Sequence, residues 1–257
     1  MRFNRLHPIL FAAAIGAASS AIAATEYTET FTVSSSSTFS SVGWNVYLKA
    51  DSSVNDLSST GGSSIAEIWS TDYGYIRTQN EVGYSTTDGP ALMFTTEPTS
   101  VLDTTNISSI SKLSVGIRAD GSGTDIAEGR FAIQIGSQWY VSAISATSNS
   151  NLGPPSSSNL PEEFTTLETA ALFDFSDGNN WHELTVALGS EGEISIAGSA
   201  TGGTLSGDVT AFGIYAKNGA NGDHFRIDNY TVVVPEPSTI ILPALVGIGL
   251  MLRRRHN

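Results

Sequence analysis

The chain has 257 residues, with 12 Lys or Arg against 25 Asp or Glu and a formal net charge of −13. That balance speaks against nucleic acid as a partner, because phosphate binding needs Lys and Arg to displace counterions, and the lack of any cysteine excludes disulfides and thiolate metal sites. A hydrophobic content of 40% with 9% aromatics is enough for a conventional core at this size and argues against wholesale disorder.

The chain starts with Arg2 and Arg5, continues with an apolar run from Ile9 to about Ala18, and then reaches small residues ending in Ala21-Ile22-Ala23. Bases, a short greasy stretch and an A-x-A site, in that order, make a secretory signal peptide. The run is well below the roughly 20 residues that a permanent anchor needs to span a bilayer. Residues 1–24 are therefore expected to be a signal helix lost on export, with Ala21 and Ala23 specifying the cut. Setting aside Arg2 and Arg5, and Arg253, Arg254 and Arg255 at the other end, leaves seven bases against 25 acids, a charge near −18.

Between Glu26 and Val234 the dominant period is two, the mark of strands. In chain order the alternating runs are Tyr27 to Val33, Gly43 to Lys49, Ala91 to Thr95, Ser111 to Ala119, Arg130 to Gly136, Gln138 to Ile144, Trp181 to Leu188, Val209 to Ala216 and His224 to Val234. They are short, rich in Val, Ile, Thr and aromatics, and parted by Gly, Asn, Asp and Ser. Gly136-Ser137 sits between two such runs with the chemistry of a two-residue hairpin turn, and Gly189 to Gly192 does something similar. Leu160 to Phe173 is the nearest approach to a helix and could form one turn within a loop. The Ser/Thr-rich stretches read as connections, with Pro154-Pro155 stiffening one of them.

Many short antiparallel strands with long connections predict a single all-β domain over residues 25–233, an antiparallel β-sandwich of jelly-roll type. The stretches Asp88 to Phe94, Trp139 to Ala143, Trp181 to Val186 and Phe225 to Val232 resemble, in order and character, those of carbohydrate-binding modules and concanavalin-like jelly rolls. That resemblance implies a sugar-facing sandwich.

The sequence offers no catalytic set. Glycosidases need two carboxylates facing one groove, and no E-x-D-x-E run occurs; Glu191 and Glu193 flank Gly192 at an expected hairpin tip, and Asp174 and Asp177 lie in loop-like sequence. Outside the two ends only His182 and His224 remain, and no G-x-S-x-G elbow is present. Stacking on sugar rings needs aromatic faces among amides and carboxylates, and the densest such stretch holds Trp69, Tyr73, Tyr75 and Tyr84; their other reading is core or rim packing. Trp139, Tyr140 and Trp181, in strongly alternating runs, read as core. No metal is required, but a structural calcium ion held by oxygens of the first and last strands is open, with Glu29 and Asp228 as ligands. Ala119 to Asp125 has acidic-loop character without an EF-hand's final glutamate.

The chain closes on Pro235-Glu236-Pro237, an apolar run from Ile240 to Leu252, and Arg253, Arg254 and Arg255. The two prolines favour an extended segment, and the arginines would stay cytoplasmic while the domain lies outside. Motif, hydrophobic stretch and Arg cluster over residues 234–257 resemble the PEP-CTERM sorting signal of bacterial surface proteins. The resemblance implies a short hydrophobic helix that meets the membrane transiently, processing by an exosortase, and a destination at the cell surface or in an extracellular matrix rich in exopolysaccharide. The expected function is that of an exported, non-enzymatic matrix protein touching polysaccharide. Its rivals are a ligand-free structural matrix protein and a glycan hydrolase or lyase.

Overall fold

The computed structural model describes residues 24–31, 38–50, 53–59, 66–69, 75–78, 91–97, 102, 105–106, 110–120, 128–147, 165–168, 177–217 and 224–235. The strands are β1 (Ala24–Glu29), β2 (Trp44–Ala50), β3 (Ser53–Asp56), β4 (Ala66–Trp69), β5 (Tyr75–Thr78), β6 (Ala91–Thr96), β7 (Thr105–Asn106) and β8 (Lys112–Asp120). They continue with β9 (Glu128–Ile135), β10 (Gln138–Ser142), β11 (Ala146–Thr147), β12 (Thr165–Glu168), β13 (Trp181–Ala187), β14 (Glu193–Ala200), β15 (Asp208–Lys217) and β16 (His224–Pro235).

The protein is an antiparallel β-sandwich of jelly-roll type. The small sheet runs β12-β8-β16-β5-β4, with β1 also on β16, and the large sheet runs β14-β13-β10-β9-β15-β6-β2-β3, with β11 on β9 and β7 on β15. The first strand thus lies beside the last, and neighbours in sequence repeatedly change sheets, as a jelly roll requires. Gly136, at φ 60, opens the two-residue turn joining β9 to β10, the expected hairpin.

Alternation along the strands builds the core between the sheets. In β2, Trp44, Val46 and Leu48 are buried while Asn45, Tyr47 and Lys49 are half-buried. The small sheet answers with Leu113, Val115, Ile227, Tyr230 and Val232. Trp44 meets Tyr230 edge-on with ring centroids 5.2 Å apart and Phe31 at 5.2 Å, contacts worth roughly 0.5–1.5 kcal/mol each beyond area burial.

A second apolar cluster occupies the other face of the large sheet, where Val54, Met93, Ala132, Val141, Leu184, Ile194 and Tyr215 are buried. The sheet's curl closes it. The β13–β14 hairpin comes round to β2, β3 and β6, the Val54 amide donates to the Gly189 carbonyl at 3.0 Å, and the Gly189 amide donates to the Val54 carbonyl at 3.1 Å. Gly192 permits this approach, since a Cβ there would stand 2.5 Å from the Ala187 carbonyl oxygen and 2.9 Å from the Val54 Cβ.

Three expectations are corrected. The segment Leu160 to Phe173, read as the nearest approach to a helix, holds β12 over its described residues 165–168, which pair with Ser114 to Ile117 of β8; cross-strand pairing overrides its local preference. The strand expected over Tyr27 to Val33 ends at Glu29, because the Glu29 carboxylate accepts the Phe31 amide at 2.7 Å and Phe31 turns to φ 50. The signal helix and the C-terminal hydrophobic helix are not borne out: the two segments lie outside the described residues except for positions 24, 234 and 235, which are in strands. Among the described residues no helix is long and apolar enough to cross a membrane.

Candidate functional site

The β4–β5 hairpin gives the expected aromatic stretch its frame. Its register sets Trp69 opposite Tyr75 and Ile68 opposite Ile76, and Ile76 in turn pairs with Ile227 of β16. Ile227 is fully buried in the main core. Two of the four predicted residues are thereby brought together at the sheet's edge. Tyr73 and Tyr84 lie outside the described residues.

Glu29 ends β1 opposite Tyr230 of β16, two residues along from Asp228. A register shift interrupts the β16–β8 ladder between Asp228 and Thr231, and Asn229 adopts φ 51, a left-handed conformation that asparagine tolerates. The turn lets Asp228 accept from the Asn229 amide at 2.6 Å and from its Nδ2 at 3.0 Å. Glu29 accepts the Phe31 amide and, at 3.5 Å, the Tyr27 hydroxyl. Asp228 is only 6% exposed. Burial, joined by the nearby Glu29 charge, pushes its carboxyl up to about 6 against the pull of the Asn229 amide. Among the described residues no third His, Cys, Asp or Glu joins the pair. The loop after Asp120, including Asp125, lies outside the described residues.

Asp177 accepts the Asn179 amide at 3.0 Å and caps a short 3-10 turn over Gly178–Asn180. Glu191 and Glu193 are exposed at the β13–β14 turn. The His182 Nδ1 lies 2.9 Å from the Ala197 carbonyl oxygen, while His224 opens β16 opposite Asp120, and Asp174 lies outside the described residues. Trp181 is buried in the main core and Tyr140 packs on its margin, as expected. Trp139, however, joins Tyr47 at the margin of the second cluster, a grouping that alternation alone did not reveal. Nearby, Arg130 pairs with Glu128 and donates to the carbonyls of Ser142 at 2.7 Å and Ala143 at 2.8 Å, and burial pushes the Tyr215 phenol up to about 12.

At the C-terminal end, β16 carries the chain through Pro235, which pairs with Ala24 at the start of β1. The first residue of the Pro-Glu-Pro motif is therefore the last of the final strand, and both chain ends leave the sandwich at one register position.

The PEP-CTERM protein-sorting motif matches residues 233–255, so the chain carries this sorting signal. No curated protein matches the chain. Among solved structures, it is similar to the family 11 carbohydrate-binding module of the cellulosomal cellulase Lic26A-Cel5E of Clostridium thermocellum, at 12% identity over 84% of this chain and 90% of that one, with a TM-score of 0.32. A family 11 carbohydrate-binding module from Clostridium thermocellum in complex with a β-1,3-1,4-mixed-linked tetrasaccharide aligns at 11% identity over 83% of this chain and 90% of that one, again with a TM-score of 0.32. The CBM22-1 and GH10 modules of xylanase 10B from C. thermocellum, complexed with xylohexaose, align at 14% identity over 80% of this chain and 28% of that one, with a TM-score of 0.33.

Proposed function

We propose that this is an exported protein, processed through its PEP-CTERM tail by an exosortase and placed at the cell surface or in the extracellular matrix, where its sandwich contacts polysaccharide without catalysis. The observation that carries the sorting half is the motif at 233–255, whose first three residues are the last three of β16. Polysaccharide contact is assigned to the aromatic stretch that holds Trp69, Tyr73, Tyr75 and Tyr84, of which Trp69 and Tyr75 pair across the β4–β5 hairpin. The far face of the large sheet is a poorer groove, because buried apolar side chains fill it.

We also propose that Glu29 and Asp228 hold a structural calcium ion. A buried carboxylate beside a second one fits a cation, which would supply the missing opposite charge. Each oxygen keeps a free lone pair after its hydrogen bond, and the remaining ligands would be backbone carbonyls or water.

The test of the polysaccharide reading is native electrophoresis of the protein recovered from its producing cells, in gels containing acidic or neutral polysaccharides. Retardation is expected, with Trp69→Ala abolishing it while the melting temperature stays nearly unchanged. Unretarded migration in every gel would leave a ligand-free matrix protein. Release of reducing sugar that disappears on mutating a carboxylate would make it an enzyme.

A further inference from the structure

The strand that follows the expected signal cut is held against the strand that enters the sorting motif. Ala24 pairs with Pro235, Thr25 with Val234, Glu26 with Val233 and Tyr27 with Val232, and residues 233–235 are the first three of the matched motif. The pair is anchored on both sides. Tyr27 packs on the margin of the main core, and Phe31, just past β1, is fully buried in it. The Thr28 and Thr231 hydroxyls lie 3.0 Å apart across the pair. On the other side of β16, the Ser111 amide and hydroxyl donate to the Val233 carbonyl at 2.9 and 3.1 Å. Ala24 itself is exposed.

A cut after Ala23 turns the Ala24 nitrogen from a peptide amide into an α-amine. Such an amine has a pKa of about 7.7–8.0, against about 10.4 for lysine, so near neutral pH it is the amine with the larger unprotonated, nucleophilic share. Neighbouring strands lie about 4.8 Å apart, and each extended residue advances the chain by about 3.3–3.6 Å. Two residues past Pro235 are therefore enough to bring a carbonyl carbon back to the Ala24 nitrogen. Those residues are Glu236 and Pro237. The loop so closed has the commonest hairpin length, and a turn with proline in its third position is a defined class.

We propose that processing joins the two ends, with the Ala24 amine accepting the acyl group freed when the tail is cut after about Pro237, so that the mature domain is a closed ring of peptide bonds. The inference rests on the export and processing reading above and names the acceptor of that step. It needs a sorting enzyme of the transpeptidase class, which holds the chain as an acyl-enzyme. The enzyme's nucleophile displaces the amine of the next residue, which leaves with the tail. The Ala24 nitrogen then attacks the same carbonyl carbon and gives up one proton as the enzyme's nucleophile departs. One peptide bond breaks and one forms, and no water is consumed. A tethered amine has an effective concentration on the order of millimolar or more, which favours it over external amines that are scarcer.

The experiment uses the protein recovered from the cell surface and the medium. Its intact mass should be one water below that of the linear chain 24–237, and N-terminal sequencing should find no free α-amine. Trypsin should yield one peptide in which Ile227 to Pro237 runs on into Ala24 to Lys49. In Tyr27→Ala, which loosens β1 from the core, the ratio of linear to joined product should rise at least about tenfold, because the gain from orientation is lost. A linear mass with a free Ala24 amine, a mass raised by a sugar or lipid amine, or an unchanged ratio in Tyr27→Ala would overturn the proposal while leaving export and processing intact. Retention of residues 1–23 or 240–255 would overturn the processing reading with it.

Discussion

Asp228 concentrates the chemistry of the β1–β16 junction in one group. Burial, with the Glu29 charge nearby, raises its carboxyl from the ordinary 3.8 to about 6, so the folded protein holds that proton more tightly than the unfolded chain. Stability from this group is full below about pH 4 and is lost as the pH rises through about 6. In chelator, the melting temperature of the wild type relative to Asp228→Asn should therefore fall between pH 4 and pH 7. Calcium at pH 7 should restore the wild type and leave the variant unmoved; a difference independent of both pH and calcium would contradict the assignment. That the first strand lies beside the last was legible, because a jelly roll closes that way. The left-handed turns at Phe31 and Asn229 were not, since neither carries the glycine that announces them. Trp139 was rightly read as core, but not on which face: alternation separates two faces and does not say that both are buried.

At the scale of elements, the β13–β14 hairpin seals the far face of the large sheet. Leu184, 1% exposed in the second cluster, should cost about 2–5 kcal/mol when truncated to Ala, the range for a packed interior. An open, hydrated groove would hold the loss near the ±0.5 kcal/mol of a surface change. Denaturant unfolding distinguishes the two. The hairpin's turn was readable from Gly189 to Gly192, but its reach to Val54 depends on sheet curl, which no local pattern records. The longer strands were also readable, having room for several alternations. β3, β4, β5 and β12 have four residues each and β7 and β11 two, too few for a period to stand out, and they form because neighbouring strands offer them partners.

For the whole molecule, the decisive feature is where the chain enters and leaves. Ala24, next to the expected signal cut, pairs with Pro235, the first residue of the sorting motif. Removal of both ends would leave a closed sandwich with its termini side by side and a charge near −18, suited to a hydrated matrix. The intact mass of the protein recovered from the cell surface and the medium, separated from membranes, tests this most directly. The account predicts loss of the first 23 or 24 residues and of the segment after about Pro237, with any added mass identifying an attached group. A mass that retains residues 240–255, found in the membrane fraction, would contradict it.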